Sequence, residues 1–370
     1  MTEREPTYVY VGTYSQKYGH VDGKGKGIYL FTYSAADGSL TSLGLAAGTT
    51  DPAYLALAPN QQYLYSVNES RELDGQPGGG VSAFRIDPAS GALTFLNRQP
   101  SHGALPCFLA VDATGSMVIV VNHDGPSTVA YPIAPDGSLG AASCIIPHVG
   151  ASHQPGHPGD PHPHSVNVDS TNRFAIVCDK GLDQIITYRV DLAARTLVPN
   201  DPPSVAVNGG TAPRHLAFHP SERFAFVTNE VGSTLTSFAF ERESGVLREI
   251  DTVSMVPRDF AGRNHTADIR VHPNGKFVYA TNRGHDSIAS FAVDETNGRL
   301  TPLGHTSTQG GWSRHIRFDP SGHILLVANQ NANTIVPFMV DPENGSLRPT
   351  GAVTETPTPV CIQFVYSASQ

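Results

Sequence analysis

A repeat of about 50 residues restricts the fold of this chain more than any other feature of its sequence. Each copy contains an apolar strand, a turn, and a second apolar strand that ends in a pair of polar residues, as in LAFHPSERFAFVTNE and IRVHPNGKFVYATNR. The copies begin at residues 55, 109, 165, 216, 269 and 316, and IQFVY at residue 362 begins a seventh. A length of 370 residues would by itself suggest two domains. The repeat instead assigns residues 1–370 to a single domain built from similar units.

Each unit supplies four strands. A third alternating stretch, such as TLTSFAFE, follows the first two strands, and a turn in which Gly precedes Leu, such as ETNGRLTPL, leads into a fourth. Four short strands joined by turn residues are typical of a propeller blade. IQFVY supplies only a first strand, and the N-terminal segments YVYVGTY and GIYLFTY supply later strands of the same blade. We therefore predict an all-β, seven-bladed β-propeller with four antiparallel strands per blade, closed by pairing of the N- and C-terminal strands.

Composition limits the partners of this chain. The net charge is −9, charged residues are only 15%, and no run is rich in Lys and Arg, so we expect no nucleic-acid partner. The sequence has no 18-residue apolar run and no apolar segment at its N-terminus, so we expect no membrane partner. The four cysteines lie far apart and without CxxC spacing, which favours reduced thiols. We expect a soluble, cytoplasmic protein that is a monomer or a weak homo-oligomer.

Ionisable residues gather at two sets of positions. The first two strands of a blade form an antiparallel hairpin, so residues before the first strand and after the second lie at the same end. Around a closed ring both sets converge on one mouth of the central channel. The pre-strand positions are Pro52–Tyr54, Pro106–Phe108, His162–His164, Arg214–His215, His265–Asp268, Arg314–His315 and Pro359–Cys361. The post-strand positions are Thr13–Tyr14, Asn68–Glu69, Asn122–His123, Asp179–Lys180, Asn229–Glu230, Asn282–Arg283 and Asn329–Gln330. Residue counting across the hairpins predicts three facing pairs, which are Arg214 with Glu230, Arg283 with Asp268, and Arg314 with Gln330.

Four motifs in this order carry a resemblance to a known family: PHPHSVNVD (161–169), GTAPRHLAFHP (210–220), VTNE (227–230) and YATNRG (279–284). With the repeat, the sequence resembles the lactonase and cycloisomerase-2 family of seven-bladed propellers, which includes propeller-type 6-phosphogluconolactonases and fungal carboxymuconate cyclases. The resemblance implies a catalytic set of His164, Arg214, Glu230 and Arg283, and no cofactor. Our candidates for substrate contacts are the other ionisable or amide residues at the same mouth, namely His162, His215, Asn282, Arg314, His315, Glu69 and Gln330.

The candidate set suits addition of water to a lactone carbonyl. Glu230 is a candidate general base, and Arg214 should lower its pKa. His164, expected to titrate near neutrality, is an alternative base or the acid that protonates the leaving alkoxide. Arginines can bind a carboxylate or phosphate, or stabilise the oxyanion. The expected function is hydrolysis of an anionic sugar lactone, either 6-phosphogluconolactone or a related aldonic or aldaric lactone. A carboxymuconate-lactonising cycloisomerase and a non-catalytic binding propeller are the alternatives.

The insert HQPGHPGDPHPH (153–164) raises the question of a metal site. It contains His153, His157 and His162, and His148 lies shortly before it. His and Asp suit zinc or a similar ion, but the prolines and glycines impose no ligand geometry. We therefore expect no metal, and interpret the insert as a loop over the channel mouth that contributes His164.

Overall fold

Seven antiparallel sheets surround a central axis in the computed structural model, which describes residues 6–19, 21–152 and 159–366. Within each sheet the strands run outward from the axis in the order of the repeat. The innermost strands of successive sheets contact one another around the full ring. This architecture confirms the predicted seven-bladed β-propeller. Within the described ranges, no helix has the length and apolar character needed to cross a membrane.

The strands are numbered in chain order and group into blades as follows. Blade 1 contains β33 (Pro359–Tyr366), β1 (Pro6–Thr13), β4 (Gly27–Tyr33) and β5 (Leu40–Gly48). Blade 2 contains β6 (Leu55–Leu57), β7 (Tyr63–Asn68), β10 (Gly80–Ile86) and β11 (Leu93–Pro100). Blade 3 contains β12 (Ala104–Val111), β13 (Met117–Asp124), β14 (Ser127–Pro132) and β15 (Cys144–Pro147). Blade 4 contains β16 (Pro163–Val168), β17 (Phe174–Asp179), β18 (Gln184–Asp191) and β19 (Thr196–Ala206).

The remaining blades follow the same plan. Blade 5 contains β20 (Pro213–Phe218), β21 (Phe224–Asn229), β22 (Thr234–Glu241) and β23 (Val246–Ser254). Blade 6 contains β24 (His265–Val271), β25 (Phe277–Arg283), β26 (Ser287–Val293) and β27 (Leu300–Ser307). Blade 7 contains β28 (Ser313–Phe318), β29 (Ile324–Asn329), β30 (Thr334–Val340), β31 (Leu347–Pro349) and β32 (Thr354–Glu355), the last of which also pairs with β30. Two short hairpins lie outside the blades, β2 (Lys17–Tyr18) with β3 (Val21–Asp22) and β8 (Glu72–Leu73) with β9 (Gln76–Pro77).

The ring closes inside blade 1. Strand β33 pairs antiparallel with β1 from Pro6↔Tyr366 to Thr13↔Pro359, as predicted from the partial repeats at the two ends of the sequence. The first strand of this blade therefore comes from the C-terminal region and the other three come from the N-terminal region. Pairing these strands satisfies backbone groups that would otherwise form open sheet edges.

Neighbouring blades are joined by a recurrent hydrogen bond from a second-strand tyrosine to the Gly of the next blade's outer turn. The bonds are Tyr10 Oη to Gly91 O at 2.6 Å, Tyr65 Oη to Gly137 O at 3.0 Å and Tyr279 Oη to Gly345 O at 2.9 Å. These glycines have φ between +69° and +85°, where a β-carbon is strained. A β-carbon at Gly137 would also lie 2.2 Å from the Tyr63 ring. The Gly that precedes Leu in the repeat is therefore required by the turn and by the packing of the adjacent blade.

Asparagines at the post-strand positions anchor the connections between blades. In four of the five copies, the side-chain amide donates to a carbonyl in the segment that returns from the outer strand of the previous blade, whereas Asn229 bonds Thr234 and Thr236 of its own blade. The bonds are Asn68 to Thr50 O at 2.7 Å, Asn122 to Ser101 O at 2.7 Å, Asn282 to Met255 O at 2.7 Å and Asn329 to Thr308 O at 3.0 Å. Asn282, which was predicted to contact substrate, occupies one of these anchoring positions. Its amide is fully buried and is committed to Met255, Ser287 and Asn264.

Candidate active site

Glu230 is the centre of a buried ion cluster at the channel mouth. It directly follows β21, and its side chain is 12% exposed. Its Oε2 lies 2.5 Å from Lys180 Nζ and 3.2 Å from Arg214 Nε. Its Oε1 lies 3.0 Å from Arg283 Nη2. The three cations come from blades 4, 5 and 6, so the closed ring brings together residues that are up to about a hundred positions apart.

The cluster fixes the ionisation of its members. Burial raises the pKa of Glu230, but the charges of Lys180, Arg283 and Arg214 outweigh burial and hold that pKa well below its usual range. Glu230 is therefore a carboxylate at neutral pH, as the sequence predicted from Arg214 alone. Burial, together with the like charge of Arg283, lowers the pKa of Arg214 to about 9, so this guanidinium also stays charged near neutrality. Lys180 was absent from our predicted set, although it occupies a post-strand position.

A second buried network of hydrogen bonds holds Arg214 through His215. Arg214 Nη1 lies 3.1 Å from His215 Nε2, and His215 Nδ1 lies 2.9 Å from Asp268 Oδ1. Burial and the charge of Arg214 lower the pKa of His215 to about 3, so the ring is neutral. The one ring proton of His215 lies on Nδ1 and is donated to Asp268, so Nε2 accepts a hydrogen bond from Arg214. His215 therefore positions Arg214. Because it also lines the small cavity that His164 and Arg214 line, its contact with substrate stays a prediction.

Asp268 does not face Arg283, contrary to the prediction. Arg283 pairs with His265, and the register of β24 and β25 is irregular between Thr266 and Ile269. Asp268 lies inside this irregular stretch and is fully buried. It also accepts a hydrogen bond from the backbone N–H of Ile316 at 3.0 Å. The extra residue in β24 therefore turns the Asp268 carboxylate away from β25 and towards His215 of blade 5 and Ile316 of blade 7.

His315 belongs to the same network. Its Nε2 accepts from Arg270 Nη2 at 3.0 Å and lies 3.6 Å from Asp268 Oδ2. Arg270 Nη2 itself lies 3.1 Å from Asp268 Oδ2. His315 also lines a small axial cavity together with His164 and Arg214.

His164 lies at the start of β16 and lines the same axial cavity as Arg214. Its ring centroid is 5.2 Å from that of His215. Burial lowers the pKa of His164 well below its usual range, and the nearby charges of Arg214 and Lys180 lower it further. The prediction that it titrates near neutrality is therefore wrong, and the ring is neutral. Among the described residues, none forms a hydrogen bond with its buried Nδ1.

Arg314 forms a separate group with Glu69 and Tyr14. Its guanidinium carbon lies 5.1 Å from the centroid of the Tyr14 ring, and its Nη2 lies 3.9 Å from Glu69 Oε2. Tyr14 Oη donates to the same Glu69 oxygen at 2.9 Å. Burial raises the pKa of Glu69 to about 7. These three residues were identified at the mouth by sequence, but their mutual contacts were not predicted.

Among the described residues, Gln330 bonds Trp312 and Asn331 and not its predicted partner Arg314. The register is irregular between Ser313 and His315, so Arg314 has no residue directly opposite. The Gln330 backbone N–H donates to Trp312 O at 3.2 Å, and its side-chain Nε2 donates to Asn331 Oδ1 at 3.0 Å. Its side-chain Oε1 is buried and has no hydrogen-bond partner among the described residues, so the contact of Gln330 with substrate stays a prediction.

His162 lies on the rim, where its side chain is 38% exposed. Its ring stacks on His123 at 4.4 Å with planes 18° apart, and its Nδ1 lies 2.9 Å from His123 O. His123, Asp124 and His162 bring possible metal-ligand atoms within 4.8 Å of one another. Near-parallel stacked rings do not direct their lone pairs to one point, and Arg71 already pairs with Asp124 at 2.5 Å.

His148, which was also considered for a metal, does not join this group. His148 is buried in blade 3, where its Nδ1 lies 2.7 Å from Asp179 Oδ2 and its Nε2 lies 2.9 Å from Thr128 Oγ1. His153 and His157, with the greater part of the insert, lie outside the described residues. The interpretation of the insert as a loop over the mouth therefore stays a prediction.

A family model and several named relatives match most of the chain. The family described as "Lactonase, 7-bladed beta-propeller" matches residues 8–364. The 6-phosphogluconolactonase of Bacillus subtilis (strain 168) is 34% identical over 358 residues, which cover 96% of this chain and 98% of the relative. The 6-phosphogluconolactonase of Formosa agariphila is 31% identical, over 83% of this chain and 85% of the relative. The solved structure of the Pseudomonas aeruginosa periplasmic gluconolactonase PpgL superposes with a TM-score of 0.88 at 30% identity, over 98% of this chain and 99% of the other.

Proposed function

Since the chain belongs to the lactonase family of seven-bladed β-propellers and is a lactone hydrolase, we propose that its substrate is a sugar lactone with a second, anionic group. The first candidate is 6-phosphogluconolactone, the substrate in the names of two relatives. The observation that carries this choice is the excess of buried positive charge at the channel mouth. Among the described residues, the four cations Lys180, Arg214, Arg283 and Arg314 form ion pairs with only two carboxylates, Glu230 and Glu69. A third buried carboxylate, Asp268, is paired with Arg270.

The charge balance favours an anionic ligand over a neutral one. Glu230 carries one negative charge against the three cations that contact it. Glu69, with a pKa of about 7, carries about half a charge near neutrality. Buried charge without a counter-charge is costly because water is excluded from it. A phosphate or carboxylate group on the lactone supplies that counter-charge, whereas an uncharged sugar lactone does not.

The reaction needs a base for water and donors for the oxyanion. A neutral His164 with an unpartnered ring nitrogen can take a proton from water without first losing one. Three cations hold Glu230 as a carboxylate and occupy its oxygens, so its role is to orient their donors. The oxyanion that forms on the carbonyl receives hydrogen bonds from Arg214 or Arg283.

We propose that hydrolysis of the lactone proceeds by two proton transfers through His164. The water oxygen bonds to the carbonyl carbon while one of its protons passes to His164. The ring C–O bond then breaks, and the His164 proton passes to the departing ring oxygen, which becomes a hydroxyl. The second water proton remains on the new carboxyl group and is released when that acid ionises. No step requires a metal or a cofactor.

The test is a rate measurement on freshly prepared lactones. Acid release in a pH-stat, corrected for spontaneous opening, should be faster for 6-phosphogluconolactone than for glucono-δ-lactone. His164→Gln should lower kcat at least about 100-fold with a smaller change in KM. His219→Gln is the matched control, because His219 is also buried but bonds Ser221 and Gly275 O away from the mouth. A wild-type rate equal to the spontaneous rate for both lactones would refute the proposal.

We also propose that the protein is cytoplasmic. All four cysteines are free thiols, which suits a reducing compartment. Because the P. aeruginosa protein is described as periplasmic, the family alone does not decide the compartment. Cell fractionation with an antibody to the protein tests the proposal, and recovery from the periplasm or the medium would overturn it.

A further inference from the structure

We propose that Arg314, supported by Tyr14 and Glu69, is the subsite that binds the substrate's phosphate group, while the cluster around Glu230 acts on the lactone. The inference rests on the proposed function and deepens it. It divides the channel mouth into a reacting end and an anion-binding end. The division follows from how the four cations are already engaged by protein groups.

Arg314 differs from the other cations in its contacts. Arg214 and Arg283 each lie within 3.2 Å of a Glu230 oxygen, and Lys180 lies 2.5 Å from one. The nearest carboxylate oxygen to Arg314, on Glu69, is 3.9 Å away, which is beyond hydrogen-bond distance. In the part of the chain that the structure describes, no group accepts a hydrogen bond from this guanidinium. Its side chain is nevertheless only 11% exposed.

The surroundings hold Arg314 in place and leave its charge largely uncompensated. The guanidinium lies over the Tyr14 ring, an arrangement that a cation–π attraction stabilises. Tyr14 is itself fixed by its hydrogen bond to Glu69. Because burial brings the pKa of Glu69 to about 7, its carboxylate opposes Arg314 only in part near neutrality. The guanidinium is thus charged, ordered by its neighbours and open to a ligand.

A phosphate is the group that this arrangement suits. A guanidinium presents parallel N–H donors that match two oxygens of a phosphate, and such charge-assisted pairs are stronger than neutral hydrogen bonds. Arg314 lines the same small cavity as His164 and Arg214, so the two ends of the mouth are adjacent. The lactone carbonyl would then face His164 and Arg214 while the phosphate faces Arg314.

The experiment compares two lactones on two variants. Arg314→Leu should lower kcat/KM for 6-phosphogluconolactone by about 100-fold, and for glucono-δ-lactone by less than about threefold. Arg71→Leu is the matched control, since Arg71 follows β7 at the same mouth but pairs with Asp124. It removes the same charge, and should change both rates equally and by less than about threefold. Arg314→Lys keeps the charge without the paired donors, and should give an intermediate loss on the phosphorylated lactone alone.

A binding measurement makes the result independent of turnover. Titration calorimetry with 6-phosphogluconate should show a loss of affinity of about 100-fold in Arg314→Leu, with gluconate binding unchanged. Wild type that opens neither lactone refutes the proposed function. Wild type that opens both, with Arg314→Leu slowing both by one factor and retaining 6-phosphogluconate affinity, refutes only the Arg314 subsite. Circular dichroism of each variant checks that the fold is intact.

Discussion

Replacing Glu230 by Gln should destabilise the protein as well as inactivate it. The substitution keeps the shape of the side chain but removes the negative charge that Lys180, Arg214 and Arg283 share. Three buried cations would then be held together without their common counter-ion. Loss of one partner from a buried ion pair costs about 3–5 kcal/mol, because the remaining charge is buried without compensation.

The expected change in Tm follows from the size of the chain. An unfolding entropy of about 2.1 cal/mol/K per residue gives about 0.8 kcal/mol/K for a chain of this length. A loss of about 3–5 kcal/mol therefore lowers Tm by about 4–6 °C. The sign of the pH dependence follows from linkage. The folded pKa of Glu230 is lowered, so its stabilisation is present above its unfolded pKa of 4.5 and is lost as pH falls through the folded value.

Differential scanning calorimetry at pH 7 in a buffer without sulfate or phosphate measures this effect. Glu241→Gln is the control, because Glu241 forms an exposed ion pair with Arg248 in the same blade and should change stability by less than about 0.5 kcal/mol. Added sulfate should raise the Tm of Glu230→Gln more than that of wild type, because the anion replaces the lost charge. A Glu230→Gln protein as stable as wild type, or one that sulfate does not stabilise further, would refute the argument.

Three other substitutions test the remaining contacts. Lys180→Met removes the cation nearest Glu230 and should lower kcat/KM for the phosphorylated lactone about 10- to 100-fold in steady-state assays; unchanged kinetics would exclude Lys180 from the site. Asp268→Asn should lower kcat about tenfold with little change in KM, because His215 loses the partner that fixes its tautomer; equal losses on Asp268→Asn and Asp268→Glu would indicate a packing role instead. As pH increases through about 7, the KM of wild type for an anionic lactone should rise, because Glu69 becomes charged beside Arg314. Glu69→Gln lacks this charge, so its KM should rise less. Parallel pH profiles of KM for the two proteins would contradict the assignment.

The fold and the location of the site could be predicted because both depend on periodicity. Seven hydrophobic repeats with a Gly-containing outer turn admit few arrangements besides a closed ring. Hairpin geometry then places the residues before the first strand and after the second at one mouth. This reasoning found Arg214 and Glu230, which do lie together at 3.2 Å.

The finer pairings could not be predicted because they depend on irregular register and on neighbouring blades. A one-residue irregularity in β24 moves Asp268 away from Arg283, and the sequence carries no sign of it. Lys180 meets Glu230 across a blade boundary, where residue counting within one hairpin gives no information. The low pKa of His164 likewise depends on burial among cations from other blades.

The sequence contains a signal for the anchoring role of Asn282. Asn recurs at the same place in five copies of the repeat, which is typical of an architectural residue. The position that follows it varies from copy to copy, as with Glu69, Lys180 and Arg283. The structure gives the physical reason in blade 6, since the Asn282 side chain holds the connection to the previous blade and Arg283 beside it meets Glu230.

In the blades that carry an anchoring asparagine, the asparagine must stay constant, whereas the residue that follows it is free to change. An anchored connection keeps its path whatever residue comes next, so that neighbouring side chain can be exchanged without rebuilding the backbone. Each of the four anchored blades thus offers one replaceable side chain to the shared channel mouth. A scaffold of this kind can acquire a new substrate by a few single substitutions, and a library restricted to these variable positions would explore that range while leaving the ring intact.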